Sequence, residues 1–339
     1  MASAIGSDSR ILPQPRGEIS AAIVDLLRGA SDSVPRLGAV DPYGEDLHLA
    51  LYTCYELHYH GFESVSDGWE WDPGLLRLRA EMESAFLDAL RREVSGGNDI
   101  DGELEQLLVE PIEGTGVSAY LRDVGEWWQM REYFVQRSIY HHKEADPQAW
   151  VIPRLRGQAK ASLVAVEFDE FGGGRGERVH AQLYADLLAG AGLNPAYLHY
   201  LDFVPAPMLA VVNMMSLFGL HRELRGALVG HFATVEIVSP PGSQRMVDAL
   251  QRLQADPACL RFYLEHIEAD AVHEQVMRRD VIGDLLRRQP DLTASVVFGI
   301  QATNLLEDRF AEHVLERCWA EGHSSLRETG QESGRACLR

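Results

Sequence analysis

Cysteine is scarce in this sequence. Its four copies, Cys54, Cys259, Cys318 and Cys337, form no C-x-x-C pair and show no metal-type spacing. That excludes a disulfide framework, a thiolate-bound cluster and structural zinc, and fits free thiols in a reducing, cytoplasmic setting. Positive charge is short as well: 31 Lys and Arg against 51 Asp and Glu leave a net charge of −20. With no basic stripe to meet phosphates, neither nucleic acid nor an anionic membrane is expected as a partner, and cationic small molecules are mildly favoured. Long apolar runs are missing. Residues 203–220 come closest, but Pro205, Pro207 and Asn213 interrupt them and His221 and Arg222 follow, so they read as a buried central helix. The opening "MASAIGSDSRILPQPRGE" lacks the apolar core of a signal peptide. No G-x-S-x-G, P-loop or G-x-G-x-x-G occurs, and no strand precedes the glycines of "FGGGRGE". Strand-like alternation, internal repeats and a linker in the middle of the chain are all absent, which leaves one large all-α unit with ragged ends.

What is present is helical periodicity. Residues 1–42 are polar and proline-punctuated around one short apolar patch, "AAIVDLLRGA". From Glu45 apolar positions recur at three and four, and Asp72 followed by Pro73 is a cap and first-turn proline for the next helix. Further helices are expected from about Glu126 to Ala145, from Pro153 to the glycines at 172–174, over "GERVHAQLYADLLAGAG", over 203–220, over 242–254 after an unassigned stretch at 222–238, over 258–279, and from about 292 to 320. The tail "SSLRETGQESGRACLR" reads as disordered.

The chemistry sits in three stretches. In "HIEADAVHEQV", His266, Asp270 and His273 fall within roughly 60° of one another on a helix surface, so two imidazoles and a carboxylate point the same way. Nitrogen and oxygen donors without thiolate suit iron, manganese or zinc. "GERVH" sets Glu177 and His180 at i and i+3, the arrangement that Asp270 and His273 repeat. Two carboxylate-x-x-histidine pairs, joined by a glutamate from each of two further helices, are how helical bundles hold two iron or manganese ions. Glu144 and Glu170 are the available acids, although a solvated helix end explains Glu144 almost as well, and a polar helix terminus explains Glu167, Asp169 and Glu170 together. His58, His60, His141 and His142 read as ordinary surface or core histidines.

The motifs "RSIYHHKEADPQAW", "VEFDEFGGGRGERVHAQLYADLL" and "FYLEHIEADAVHEQV", in this order and spacing, resemble the haem-oxygenase-like diiron oxidases, or iron-containing redox enzymes, over roughly residues 45–320. The resemblance implies an all-α, haem-oxygenase-like helical bundle with additional N-terminal helices. Its parts would be a polar segment at 1–42 with one short helix, accessory helices at 43–125, a diiron core at 126–322 and a disordered tail at 323–339. It implies Glu144, Glu177, His180, His266, Asp270 and His273 as ligands of two iron ions cycling between Fe2+ and Fe3+. In relatives that oxidise nitrogen, an extra carboxylate ahead of the Glu-x-x-His pair joins the coordination sphere, and Glu170 stands there, a candidate for both metal binding and catalysis.

The function so implied is O2-dependent N-oxygenation of an amine or amino acid in specialised metabolism, with electrons from an external donor because no flavin or NAD motif is visible. Two alternatives stay open: C–H abstraction leading to desaturation or C–C fragmentation of an amino or fatty acid, and a scaffold that binds metal or ligand without turnover. Glu268, Glu274 and Asp169 are candidate acceptors for the outer ring nitrogens of the histidines. Tyr140, Trp150, Tyr184 and Tyr263 are candidate pocket walls, and a homodimer through the helices before residue 125 is left open.

Overall fold

A computed structural model describes residues 10–31, 33–109 and 116–329, without the side chains of Glu268, Asp270 and Ala271. Among these residues the chain forms helices and no strand. In chain order they are α1 Glu18–Leu27, α2 Glu45–Glu56, α3 Pro73–Glu93, α4 Ile100–Leu107, α5 Gly116–Asp123, α6 Trp127–His141, α7 Asp146–Ala149, α8 Gly157–Glu170, α9 His180–Gly190, α10 Ala206–Leu220, α11 Arg225–Arg252, α12 Pro257–Gln275, α13 Gly283–Arg288 and α14 Thr293–Glu312. The all-α expectation holds.

Local chemistry starts these helices. Asp72 accepts from the Leu75 N–H at 2.8 Å with Pro73 in the first turn of α3, and Asp256 does the same for Ala258 ahead of Pro257 in α12. The apolar run near residue 210 is α10, buried along almost its whole length. No helix among the described residues is long and apolar enough to cross a membrane. Asn213 of α10 donates to the His48 carbonyl at 2.8 Å, which ties the accessory helix α2 to the core.

The longest helix, α11, lies between α12 and α14. It meets α14 backbone to backbone: a Cβ on Gly299 would sit 2.0 Å from the Ala227 carbonyl oxygen, and one on Gly230 would sit 2.2 Å from that of Val296. The stretch at 222–238 and the helix expected at 242–254 form one helix, with Pro240 and Pro241 inside it. Interior prolines cost about 3 kcal/mol or more, yet the helix continues across the pair, with buried residues on both sides, Ile237 and Met246 among them. α12 runs through a π-helical turn, Val276–Ile282, directly into α13, and such widened turns often accompany functional sites.

Two further expectations change. α6 stops at His141, not Ala145, so Glu144 lies in the turn that follows. The tail expected to be disordered from residue 323 is docked as far as 329: the Ser325 N–H and hydroxyl both donate to Glu132 at 2.9 Å, and the Arg327 N–H donates to Phe203. Residues 330–339 of that tail, Cys337 included, lie outside the described residues.

Candidate metal centre

Four side chains from four segments converge where the ends of α6 and α8 and the start of α9 meet the middle of α12. Glu144, Glu170, His180 and His266 are all buried, and each offers a ligand atom within 4.8 Å of the others. A second group, Glu170, Glu236 and His273, meets the same limit and is also buried. Glu170 belongs to both.

The helices aim these groups individually. Glu170 is the last residue of α8 and His180 the first of α9, and the glycine turns between them bring His180 Nδ1 to 2.7 Å from Glu170 Oε2. His266 and His273 project from α12, whose path past α9 and α11 brings both inward. The His266 Nδ1 lies 2.7 Å from the Phe262 carbonyl, which can only accept; that nitrogen therefore carries the proton, and Nε2, 3.8 Å from Glu144 Oε2, presents its lone pair. His273 Nδ1 lies 3.1 Å from Glu236 Oε2 and 3.8 Å from Glu170 Oε1, while its Nε2 lies 3.1 Å from Asp169.

The turn that carries Glu144 is anchored on both sides. His141, one helical turn earlier, reaches Glu144 Oε2 with Nδ1 at 2.8 Å. On the other flank Lys143 is wholly buried, its ammonium 2.5 Å from Glu56 Oε2 of α2 and over the rings of Tyr52 and Tyr59 at 4.2 and 4.5 Å. Tyr197 donates to the same Glu56 carboxylate at 3.0 Å. The accessory helices thus reach the residue next to a candidate ligand.

Carboxylates crowd this interior. Burial works against ionisation of Glu144, but the charges and hydrogen bonds of His141 and His266 carry its pKa well below the usual carboxylate range. Glu167, one turn before Glu170, has both oxygens buried without a hydrogen-bond partner among the described residues. Burial first, then Glu170, Glu236 and Asp146, push it up to about 9. Closely packed buried acids are costly unless a cation offsets them. Histidine nitrogens and carboxylate oxygens without sulfur suit iron, so the donor set fits.

Of the residues expected from the sequence, the structure brings together Glu144, Glu170, His180, His266 and His273. The Asp270 side chain lies outside the described residues. Glu177 is not brought in. Val179, at φ −56° and ψ 131°, breaks the chain between a 3-10 turn at Gly176–Arg178 and α9, so the i, i+3 spacing spans no helix and Glu177 is exposed. Sequence reasoning missed Glu236, although a lone acid in the apolar stretch "GHFATVEIV" was a usable signal. It also took Glu167 for part of a polar helix end.

Among the candidate acceptors, Asp169 does contact His273, Glu274 pairs instead with Arg278 at 2.6 Å, and the Glu268 side chain lies outside the described residues. Of the aromatics, Tyr184 donates to the Phe134 carbonyl at 2.8 Å and lies against His141 at 4.6 Å between ring centres, and the Tyr263 hydroxyl is buried without a hydrogen-bond partner among the described residues. Tyr140 is buried beside His141, with ring centres 4.9 Å apart. Trp150 lines a surface cleft with His58, His60 and Asp146. Residues 131–308 match a protein family described as iron-containing redox enzymes. No curated protein gives a match to the chain.

Proposed function

The chain belongs to the iron-containing redox enzyme family, and from that premise we propose that it is a non-haem diiron oxygenase that uses O2 to hydroxylate the nitrogen of a small amine or amino acid. The observation that carries this reading is the position of Glu170, within ligand distance of both side-chain groups. A carboxylate can bridge two cations, and this one occupies the position that the resemblance associates with nitrogen oxidation.

In this reading Glu144, His180 and His266 hold one ion, Glu236 and His273 hold the other, and Glu170 serves both. Asp270, one turn after His266 on α12, is a further proposed ligand, whereas Glu177 takes no part. Iron bound there supplies the electrons that O2 needs to react with a closed-shell amine. The protein's own groups do the rest. Phe262 fixes the His266 tautomer, His141 holds Glu144, and Asp169 orients His273. The surrounding aromatic and aliphatic wall keeps water away, which strengthens every charge interaction inside. The reaction consumes one O2, two electrons and two protons per amine and yields a hydroxylamine and water, so an external reductant is part of the proposal.

The test is direct. Protein reconstituted with Fe(II) should retain about two iron ions per chain, as the two side-chain groups imply. With O2, a reductant and a pool of amines and amino acids, it should form hydroxylamines detectable by mass spectrometry. Alkenes or shortened carbon chains would transfer the assignment to C–H chemistry, and retention of iron without O2 consumption would reduce the protein to a binding scaffold.

A further inference from the structure

At the far end of the core helices lies a cleft of about 640 Å3 lined by Arg154, Arg156, Arg222, Arg225 and Arg288. Five arginines around one depression are unexpected in a chain of net charge −20. The depression is as large as many small-molecule sites.

Apart from Arg288, which pairs with Asp284, their local partners orient these guanidinium groups without cancelling their charge. Arg154 donates to the carbonyls of Gly219 and Leu220, and Arg225 to the Arg222 carbonyl and the Gln289 side chain. The Asp284 carboxylate is the acid in contact: it accepts from Arg288 at 2.8 Å and from Arg287 at 2.9 Å, and it is further occupied by the Ala159 N–H at 3.1 Å. Arg156 and Arg222 are exposed and form no ion pair among the described residues. The Arg154 pKa is lowered by burial and then by the charges of Arg222 and Arg225, so these like charges act on one another. Gly157, at φ +62°, leaves room for Arg288: a Cβ there would lie 2.7 Å from its Nη2. The N-terminal end of the 14-residue helix α8 opens beside the cleft and adds its partial positive charge.

We propose that this cleft binds a small polyanion carrying two or more phosphate or carboxylate groups. Guanidinium forks match both oxyanions bidentately. The site is distinct from the metal centre: Arg156 precedes α8 and Glu170 ends it, about 20 Å away at 1.5 Å per residue. It joins the starts of α8 and α11 to α13, the helical continuation of α12.

Calorimetric titration of the full-length chain with pyrophosphate and, separately, with citrate tests the proposal at fixed ionic strength. The titrations are run on iron-loaded and metal-stripped protein. Saturable binding of at least one polyanion, equal in both metal states and accompanied by a rise of several degrees in melting temperature, is the expected result. An Arg156→Gln/Arg222→Gln variant should weaken it at least tenfold while leaving the ligand-free melting temperature unchanged. The proposal is overturned if neither anion binds, if binding needs iron, if chloride produces the same shift, or if the double variant binds as the parent does.

Discussion

At the scale of single residues, ligand and neighbour are separable by substitution. Glu170→Ala and Glu236→Ala are each expected to lower retained iron from about two per chain to one or fewer and to abolish O2-dependent turnover, with helical circular dichroism preserved. Glu177→Ala is expected to leave both iron content and turnover intact, because Glu177 is exposed on a separate turn. Metal analysis of the three purified variants decides the point, and loss of iron in the Glu177 variant would reinstate it as a ligand. His141→Phe removes a group that touches Glu144 but lies in neither side-chain group. Its expected cost is about 10–100-fold in iron affinity, measured by competition with a chelator.

The same contrast shows what the sequence made legible. Glu144, Glu170, His180, His266 and His273 were readable as acids and imidazoles at recurring helical spacing. Glu236 was not, because it has no partner at i±3 or i±4 and its significance comes from α11 lying against α12. Glu177 looked equivalent to Asp270 in one dimension, and a single extended residue, Val179, separated it from the helix that its spacing presupposed.

At the scale of elements, two junctions carry the arrangement. The Glu56–Lys143 pair joins α2 to the turn holding Glu144 with both side chains buried. Glu56→Gln leaves the ammonium without its counter-charge, and breaking a buried pair in this way costs about 3–5 kcal/mol. The double change Glu56→Gln/Lys143→Met is expected to recover much of that loss in urea unfolding. The α11–α14 crossing admits no side chain at Gly299. Gly299→Ala should force the helices apart and destabilise the chain by about 1–3 kcal/mol, measured the same way.

At the scale of the whole molecule, titration sets the pH range of stability. Burial lowers the pKa of His48, His142 and His231 to about 4, from an ordinary value of 6.5. Between those values the unfolded chain binds more protons than the folded one, so the stability these histidines contribute is complete above pH 6.5 and lost as pH falls towards 4. Glu167 acts in the opposite sense. Its pKa is raised to about 9, the folded chain keeps the proton longer, and stability falls as pH rises from 4.5 towards 9. With three groups favouring higher pH below 6.5 and one opposing it throughout, these groups together place the optimum of metal-free protein near pH 6.5. A melting-temperature profile from pH 4 to 9 checks this. Glu167→Gln should flatten its alkaline limb and steepen the acid limb between pH 4.5 and 6.5, where the histidines would then act unopposed.

Composition and periodicity alone determined that the chain is all-α, that an acidic surface surrounds a large apolar core, and that imidazole and carboxylate donors recur at helical spacing. Those properties depend on neighbours three or four residues apart, which a linear reading can follow. Tertiary packing decided which acids meet which histidines, that α2 supports the turn at Glu144, and that five arginines from three separate stretches line one cleft. These outcomes depend on where helix axes cross, and that is governed by close contacts such as Gly299 against Ala227, between residues 72 positions apart.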